Sequence, residues 1–568
     1  MKFKKLVSYL DKLEKTSSRL KITDILVDLL REIDTKNVRE AIYLTLGMLG
    51  PDFESVEFGM ASKMVIRAVA QAASVENKEV EKAYKKEGDL GEVVKKMRIN
   101  GKEEGLEVEK VFNRLLSCAK EAGFGSQERK VEGVVSLLLS TSPDERKYIV
   151  RVIMGKLRLG FSSKTILDAL SQLEAGNKSL RKQLDAAFQI YPDVGLLAEK
   201  LKEKGIAGLS EIKVKSGVPI MSALCQRLNN YEEIVKKMGD LAVERKYDGT
   251  RVQIHFDRKK GEIKTYTRNL EDSSKMFPEL KNLPEWIKGD EVILDSEAVG
   301  VDKKTGKVLP FQVTITRKRK HGVEKTAESV PLVFYLFDIL AKDGRSLLAE
   351  PYHKRRGILD GTIKRNEVVV IDEYIRTDDP KEIEKLHEQY LSEGLEGAVI
   401  KKWDGGYLPG RQGWNWVKIK EAEGTTGKLA DTLDLSVMGY YYGKGKRVGF
   451  GMGAFLAGLR KEGRWVSIAK IGTGLSDEQF REMRVRLDKH AVKEKPEDYL
   501  VSKMLEADVW VEPGVVVEIA ADELTKSPAH AGGLALRFPR LVKFRDDKNP
   551  DQTTTWSEVE QINKISQK

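Results

Sequence analysis

Cysteine is almost missing from this chain: Cys118 and Cys225 are the only two among 568 residues, far apart and outside any C-x-x-C spacing. Two such thiols exclude a disulfide framework and a four-cysteine zinc module, and they suit a reducing compartment. No run of 18 apolar residues occurs, and Met1-Lys2-Phe3-Lys4-Lys5 leads into a charged stretch, so neither a membrane span nor a secretory signal is expected. No Gly-Lys pair is followed by Ser or Thr, which removes the P-loop ATPases. Internal repeats and low-complexity segments are also lacking. Charge is what the chain has in quantity. Lys+Arg 99 against Asp+Glu 88 gives a net +11 and a pI near 9.1, a modest excess whose sign favours a polyanionic partner. The expectation is a soluble, cytoplasmic protein of three or four domains.

The texture changes along the chain. The first 215 or so residues read as helical: Ile22, Ile25, Leu26, Leu29, Leu30 and Ile33 form one stripe of an amphipathic helix. Ser142-Pro143-Asp144-Glu145 offers a capping serine, a proline at the first helical position and a glutamate three residues after the cap. Beyond that helix, the basic turn from Gly155 to Lys164 places Lys156, Arg158 and Lys164 among glycines that let backbone amides approach phosphates, or it is a helix–turn–helix with solvated lysines. Near Val218-Pro219 the pattern becomes short β-rich segments as far as Lys420, followed by Gly424-Thr425-Thr426-Gly427, which reads as a hinge. About five further strand-like runs occupy the remainder and suit a small barrel. These shifts predict a multidomain α+β protein: an all-helical domain over 1–217, a mixed domain over 218–424 and a β-barrel domain over 425–568.

Chemistry gathers in the middle. In Glu244-Arg245-Lys246-Tyr247-Asp248-Gly249-Thr250-Arg251 a lysine stands between a carboxylate and a turn. Val252, Ile254 and Phe256 then alternate with Arg251, Gln253 and His255, the period of a half-buried strand. A nucleophilic lysine must lose its proton, which desolvation or nearby cations promote. A charged surface turn is the plain alternative for a lone K-x-D-G. Arg268 ends a strand-like run; Glu297 closes Val292–Glu297, where it can accept a ribose hydroxyl or place a metal; Phe337 sits in the apolar run 331–340. Glu396 lies in a glycine-flanked turn before a strand, and hard oxygen ligands of this kind suit Mg²⁺. Lys418 and Lys420 share one face of Trp416–Lys420, and two adjacent ammonium groups favour an anion between them.

Taken in order, these segments resemble the ATP-dependent DNA ligases, most closely the archaeal and eukaryotic replicative kind, over nearly the whole chain. The resemblance implies a helical DNA-binding domain, a nucleotidyltransferase (adenylation) domain and an OB-fold domain. It further implies that Lys246 is adenylated by ATP, that AMP passes to a DNA 5′-phosphate, and that a nick in duplex DNA is sealed, in replication, repair and recombination. Glu244 then corresponds to an adenine contact, Arg251 and Arg268 to ribose and phosphate contacts, Glu297 and Glu396 to metal-associated carboxylates, Phe337 to the stacking ring, and Lys418 with Lys420 to α-phosphate contacts. Arg545 and Lys548, in Arg545-Asp546-Asp547-Lys548, resemble the motif that orients the pyrophosphate. Lys156, Arg158 and Lys164 are the expected DNA contacts. One position departs: relatives often carry an ATP-contacting arginine where Gln412 stands, and the adjacent Arg411 can substitute for it. Magnesium or another divalent cation such as manganese is implied, as are a monomer and a nucleoid-associated location; no convincing sliding-clamp peptide is present. The alternatives are an RNA ligase or capping enzyme, which leave the helical region unexplained, and a non-catalytic DNA-binding scaffold, which would not need Lys246, Lys418 and Lys420. An NAD⁺-dependent ligase would need the missing zinc module.

Overall fold

The computed structural model describes residues 1–568 apart from 229, 304, 315–316, 318–329, 411, 421–431, 444–446, 448–449 and 567–568. Contacts divide the chain into two compact units, Met1–Ile419 and Lys420–Lys568. The expected hinge at Gly424–Gly427 and most of the basic run 317–321 lie outside the described residues.

Twelve α-helices span Phe3 to Lys204. Ser18 caps the helix Arg19–Glu32, whose Ile22, Leu26, Leu29 and Leu30 enter the core as the stripe required. The capping box at Ser142 and Glu145 is formed, but the helix it opens, Pro143–Ile153, is buried all round. Its polar side is matched by other helices: Lys147 meets Glu14 at 2.8 Å and Glu92 at 2.9 Å, and Arg151 meets Asp89 at 2.6 Å. Period alone could not show that partner set. The helical part packs on the following β-rich part through Phe53, Val218 and Tyr266, and the Asp272 N–H donates to Ser55 Oγ at 3.2 Å.

Two sheets form the middle of the chain. The strands are β1 (Gln226–Arg227), β2 (Leu241–Lys246), β3 (Thr250–Asp257), β4 (Glu262–Thr267), β5 (Glu291–Gly300), β6 (Leu332–Lys342), β7 (Arg345–Ser346), β8 (Val369–Ile371), β9 (Tyr374–Thr377), β10 (Gly397–Lys402) and β11 (Trp416–Lys420). One sheet runs β1-β11-β10-β2-β9, the other β4-β3-β5-β6-β7 with β8 beside β6. Leu241, Val243, Ala398, Ile400, Val417 and Ile419 face the helices Tyr231–Met238 and Pro380–Ser392, while Val252, Ile254, Leu294, Phe334 and Leu336 build the core of the second sheet. Strand β3 is not half-buried as its alternation predicts. Gln253 and His255 are buried too, because the segment entering from the helical part covers that face: Gln253 exchanges hydrogen bonds with the Ile220 backbone, and the Gly217 N–H donates to His255 Nδ1 at 3.2 Å. Nor does Glu297 end its strand, for β5 continues to Gly300.

The C-terminal unit is richer in strands than the sequence suggested, with ten among the described residues, eight in one sheet and two in a hairpin. The helix Asp477–Asp488, opened by a capping box at Ser476 and Gln479, adds Phe480, Met483 and Leu487 to that sheet's core.

Candidate active site

Lys246 is the last residue of β2, and Tyr247-Asp248-Gly249 carries the chain from one sheet to the other. Gly249 is required by close approach: a Cβ there would lie 2.5 Å from the Ala298 carbonyl oxygen on β5. The cleft between the sheets is therefore lined by β2, β10 and β11 on one side and by β3, β5 and β6 on the other.

Register fixes the neighbours. Lys246 pairs with Gly397 and Arg251 with Glu297, and the Glu396 N–H donates to the Lys246 carbonyl at 2.9 Å. The Lys246 ammonium is ion-paired with the Glu396 carboxylate. Burial is the largest influence on Lys246 and carries its pKa below the usual lysine range; Glu297, Cys225 and Asp248 oppose that, and Arg268 adds to it. The half-buried Glu297 is pushed up to about 7 by burial, with Lys246 and Arg251 pulling the other way. Arg251 is clamped by Asp295. Its Nε and Nη2 donate to the two carboxylate oxygens at 3.0 and 2.6 Å, and Nη1 donates to the Ala223 carbonyl at 2.6 Å. Burial opposes the charge of Arg251, but Asp295, together with Tyr407 and Cys225, outweighs it and raises its pKa.

Glu244 is enclosed, with its carboxylate 2.6 Å from Lys401 Nζ and accepting the Tyr352 hydroxyl. Lys401 spans the sheets: it also donates to the Phe337 carbonyl at 2.9 Å and lies 4.7 and 4.4 Å from the Phe337 and Trp416 ring centres. Phe337 meets Trp416 edge to face at 6.0 Å and sits 5.3 Å from the Arg251 guanidinium. The half-buried Lys418 and Lys420 alternate with buried Val417 and Ile419 as the period predicts. Arg268 is exposed in the turn after β4. Gln412 is exposed and donates to the Pro409 carbonyl at 3.0 Å, while Arg411 lies outside the described residues.

Several participants escaped the sequence reading. Asp295 carried a signal, lying two residues before Glu297 and so on the same face of β5. Asp338, an acid in an otherwise apolar run, also did; it holds Arg355 with both groups fully buried. Lys401, Tyr352, Tyr407 and Asp372 come from distant segments and gave none. Asp372, which accepts the Tyr247 hydroxyl at 3.1 Å, is raised to about 7 by burial and by Glu244.

The other predicted residues lie elsewhere. Lys156, Arg158 and Lys164 are exposed, alternating with buried Leu157 and Leu159; Arg158 has φ 63° and donates to the Gly88 carbonyl at 2.7 Å. In the C-terminal unit, Arg545 and Lys548 both engage Asp434. Among the described residues no cluster of three or more His, Cys, Asp or Glu forms a metal cage. Glu396 and Glu297 nevertheless provide oxygen donors on either side of Lys246, the donor chemistry of a Mg²⁺ that keeps waters and takes its other ligands from substrate phosphates.

The helical region, central adenylation domain and strand-rich C-terminal domain, with a half-buried lysine where two sheets meet, define a multidomain α+β nucleotidyltransferase. Residues 222–420 match the family described as ATP dependent DNA ligase domain, 2–171 DNA ligase N terminus, and 449–548 ATP dependent DNA ligase C terminal region. The chain is 42% identical over 571 residues to "Probable DNA ligase" of Dictyoglomus turgidum, covering 98% of this chain and 97% of that one. It is 38% identical over 591 residues to "DNA ligase" of Pyrobaculum islandicum, covering 100% and 99%. A solved structure titled "Pmar-Lig_Pre." shares the fold, with a TM-score of 0.55 at 18% identity over 95% of this chain and 99% of that one. The chain belongs to the ATP-dependent DNA ligase family.

Proposed function

We propose that this protein seals nicks in duplex DNA in replication, repair and recombination, through a lysyl-AMP on Lys246 and a DNA-adenylate. The observation that carries this reading is the half-buried Lys246, depressed in pKa and held against Glu396 at the junction of two sheets. Its Nζ must be unprotonated to attack, which burial promotes. An Nζ–P bond forms at the α-phosphate of ATP as the Pα–O bond to pyrophosphate breaks. A 5′-phosphate oxygen of DNA next displaces the lysine, and a 3′-hydroxyl then displaces AMP to close the phosphodiester.

The pocket supplies positioning. Glu244, fixed by Lys401 and Tyr352, faces the adenine; Phe337 stacks on it; Arg251 and Arg268 hold ribose and phosphate; Lys418 and Lys420 hold the α-phosphate; and Arg411 or Gln412 completes the nucleotide site. Glu297 and Glu396 would hold Mg²⁺ or Mn²⁺, which offsets phosphate charge when bound. Arg545 and Lys548 orient the pyrophosphate. Lys156, Arg158 and Lys164 grip the duplex backbone without reading bases. We assign 1–217 to DNA binding, 218–424 to adenylation and 425–568 to an OB-fold, in a monomer of the cytoplasm and nucleoid. No described helix is long and apolar enough to cross a membrane.

Labelled ATP should leave a covalent, acid-labile AMP on the protein. Lys246→Ala should abolish that adduct yet retain joining of DNA adenylated beforehand; an adduct formed at the wild-type rate would remove Lys246 from the role.

A further inference from the structure

Lys548 and Arg545 share one carboxylate. Asp434 sits at the second position of the strand Leu433–Tyr441, and its carboxylate accepts Arg545 Nη1 on both oxygens at 3.0 Å and Lys548 Nζ at 2.6 Å. The aspartate itself cannot swing freely. Its N–H donates to Thr554 Oγ1 at 2.9 Å, the Thr554 N–H returns to its carbonyl at 2.9 Å, and it pairs in register with Glu518. The remaining edge of Arg545 meets Asp547 through Nε and Nη2 at 2.8 and 2.7 Å. The two acids differ in burial: the Asp434 side chain is 13% exposed and that of Asp547 64%.

We infer that Asp434 is a positioning residue for adenylation: it sets Arg545 and Lys548 side by side as a preformed pair for the departing pyrophosphate. This rests on the proposed role of those two cations as pyrophosphate contacts. Two cations held together repel unless an anion stands between them, and a carboxylate anchored in a strand does this without reorganising when substrate arrives. The pairing also leaves a place for the incoming anion. Pyrophosphate can displace the exposed Asp547 from the outer edge of Arg545 while the half-buried Asp434 keeps hold of Nη1. An ammonium has three donors, so Lys548 can keep Asp434 and donate to phosphate at once. Asp434, its carboxylate already committed to both cations, acts through Arg545 and Lys548 and touches no reacting atom.

The test compares Asp434→Asn, Asp434→Glu and Lys548→Ala in the full chain with ATP and Mg²⁺, under single-turnover conditions. Asp434→Asn should slow lysyl-AMP formation at least about tenfold while sealing of pre-adenylated nicked DNA stays within about twofold. Asp434→Glu, which restores the charge, should recover most of the loss. The reverse reaction provides a second readout: Asp434→Asn should need about tenfold more pyrophosphate to discharge lysyl-AMP at half-maximal rate. Adduct formation that is unchanged or faster, or equal slowing of both steps, overturns the inference. Lys548→Ala separates the layers. If it slows both steps equally, the pyrophosphate role of the pair fails. If it is selective for the adduct step and Asp434→Asn is not, only the positioning role fails. Should Asp434→Asn not fold, Asp434→Ser decides through the pyrophosphate requirement, which should rise severalfold; a wild-type requirement overturns the inference.

Discussion

At the scale of single residues, the buried charges of this protein work as matched sets, and removing one member strands another. Glu244 and Lys401 are almost fully enclosed together. Replacing Glu244 by alanine removes the carboxylate in contact with this enclosed ammonium and leaves the more distant Asp338 and Asp372 to offset its charge, a loss on the order of 3–5 kcal/mol for a buried pair broken on one side. Denaturant unfolding of Glu244→Ala should show that loss, together with failure to form the AMP adduct. Lys401→Met in the same background should recover much of the stability and none of the adduct. Glu14 gives a case with a pH signature. Burial raises its pKa, but hydrogen bonds from Arg151, Lys147 and Tyr148 overcome that and hold it at about 2 against an ordinary 4.5. A carboxyl depressed in the folded state stabilises fully above pH 4.5, and its contribution is lost as pH falls toward 2. Thermal melts of Glu14→Gln should therefore lie below wild type at pH 6, and the gap should close between pH 4.5 and 2. A gap of constant size across that range would assign the effect to packing.

At the scale of elements, the turn between β2 and β3, to which the chemistry is assigned, joins two sheets, and Gly249 lets it pass. A methyl group there would press on the Ala298 backbone oxygen, which cannot move without breaking the β3–β5 pairing. Gly249→Ala should cost roughly 1–3 kcal/mol of stability, as overpacking does. It should also slow adduct formation more than tenfold by displacing Lys246, read by calorimetry and labelled ATP respectively. Wild-type adduct kinetics in a destabilised variant would detach the turn's geometry from the nucleophile. The same elements show what a sequence discloses. The stripe of Arg19–Glu32, the capping box at Ser142 and the alternation of Lys418 with Val417 were all legible, since each is a local periodicity or a contact within one turn. The second face of β3 was not, because its cover arrives from residues 217–220, which precede it by a whole helix and strand. Likewise Arg251 carries no mark in its own segment of being clamped by Asp295; that follows from which strand pairs with β3, a long-range fact. Motif order pointed to Lys246 and the residues around it, whereas the network that holds them needed the fold.

At the scale of the whole molecule, the helical part is assigned to duplex binding, and salt dependence tests that assignment. Every phosphate neutralised by a lysine or arginine releases condensed counterions, so the slope of log K against log salt counts such contacts at about 0.9 each on duplex DNA. Lys156 and Arg158 project from a turn whose apolar members, Leu157 and Leu159, are buried, and Lys164 projects from the first turn of the helix Ser163–Ala175 that follows. The turn should therefore keep its shape when the three charges go, although Arg158 also loses its bond to the Gly88 carbonyl. Replacing all three by alanine should weaken nicked-duplex binding and make the salt slope shallower by roughly 3. Adduct formation from ATP should stay near wild type, because none of these side chains enters the cleft around Lys246. Fluorescence anisotropy at several salt concentrations measures the slope, and labelled ATP measures the adduct. An unchanged slope with unchanged affinity would take this turn out of the DNA interface. A lost adduct would mean instead that the helical part supports the adenylation cleft, through the packing of Phe53 on Val218 and Tyr266.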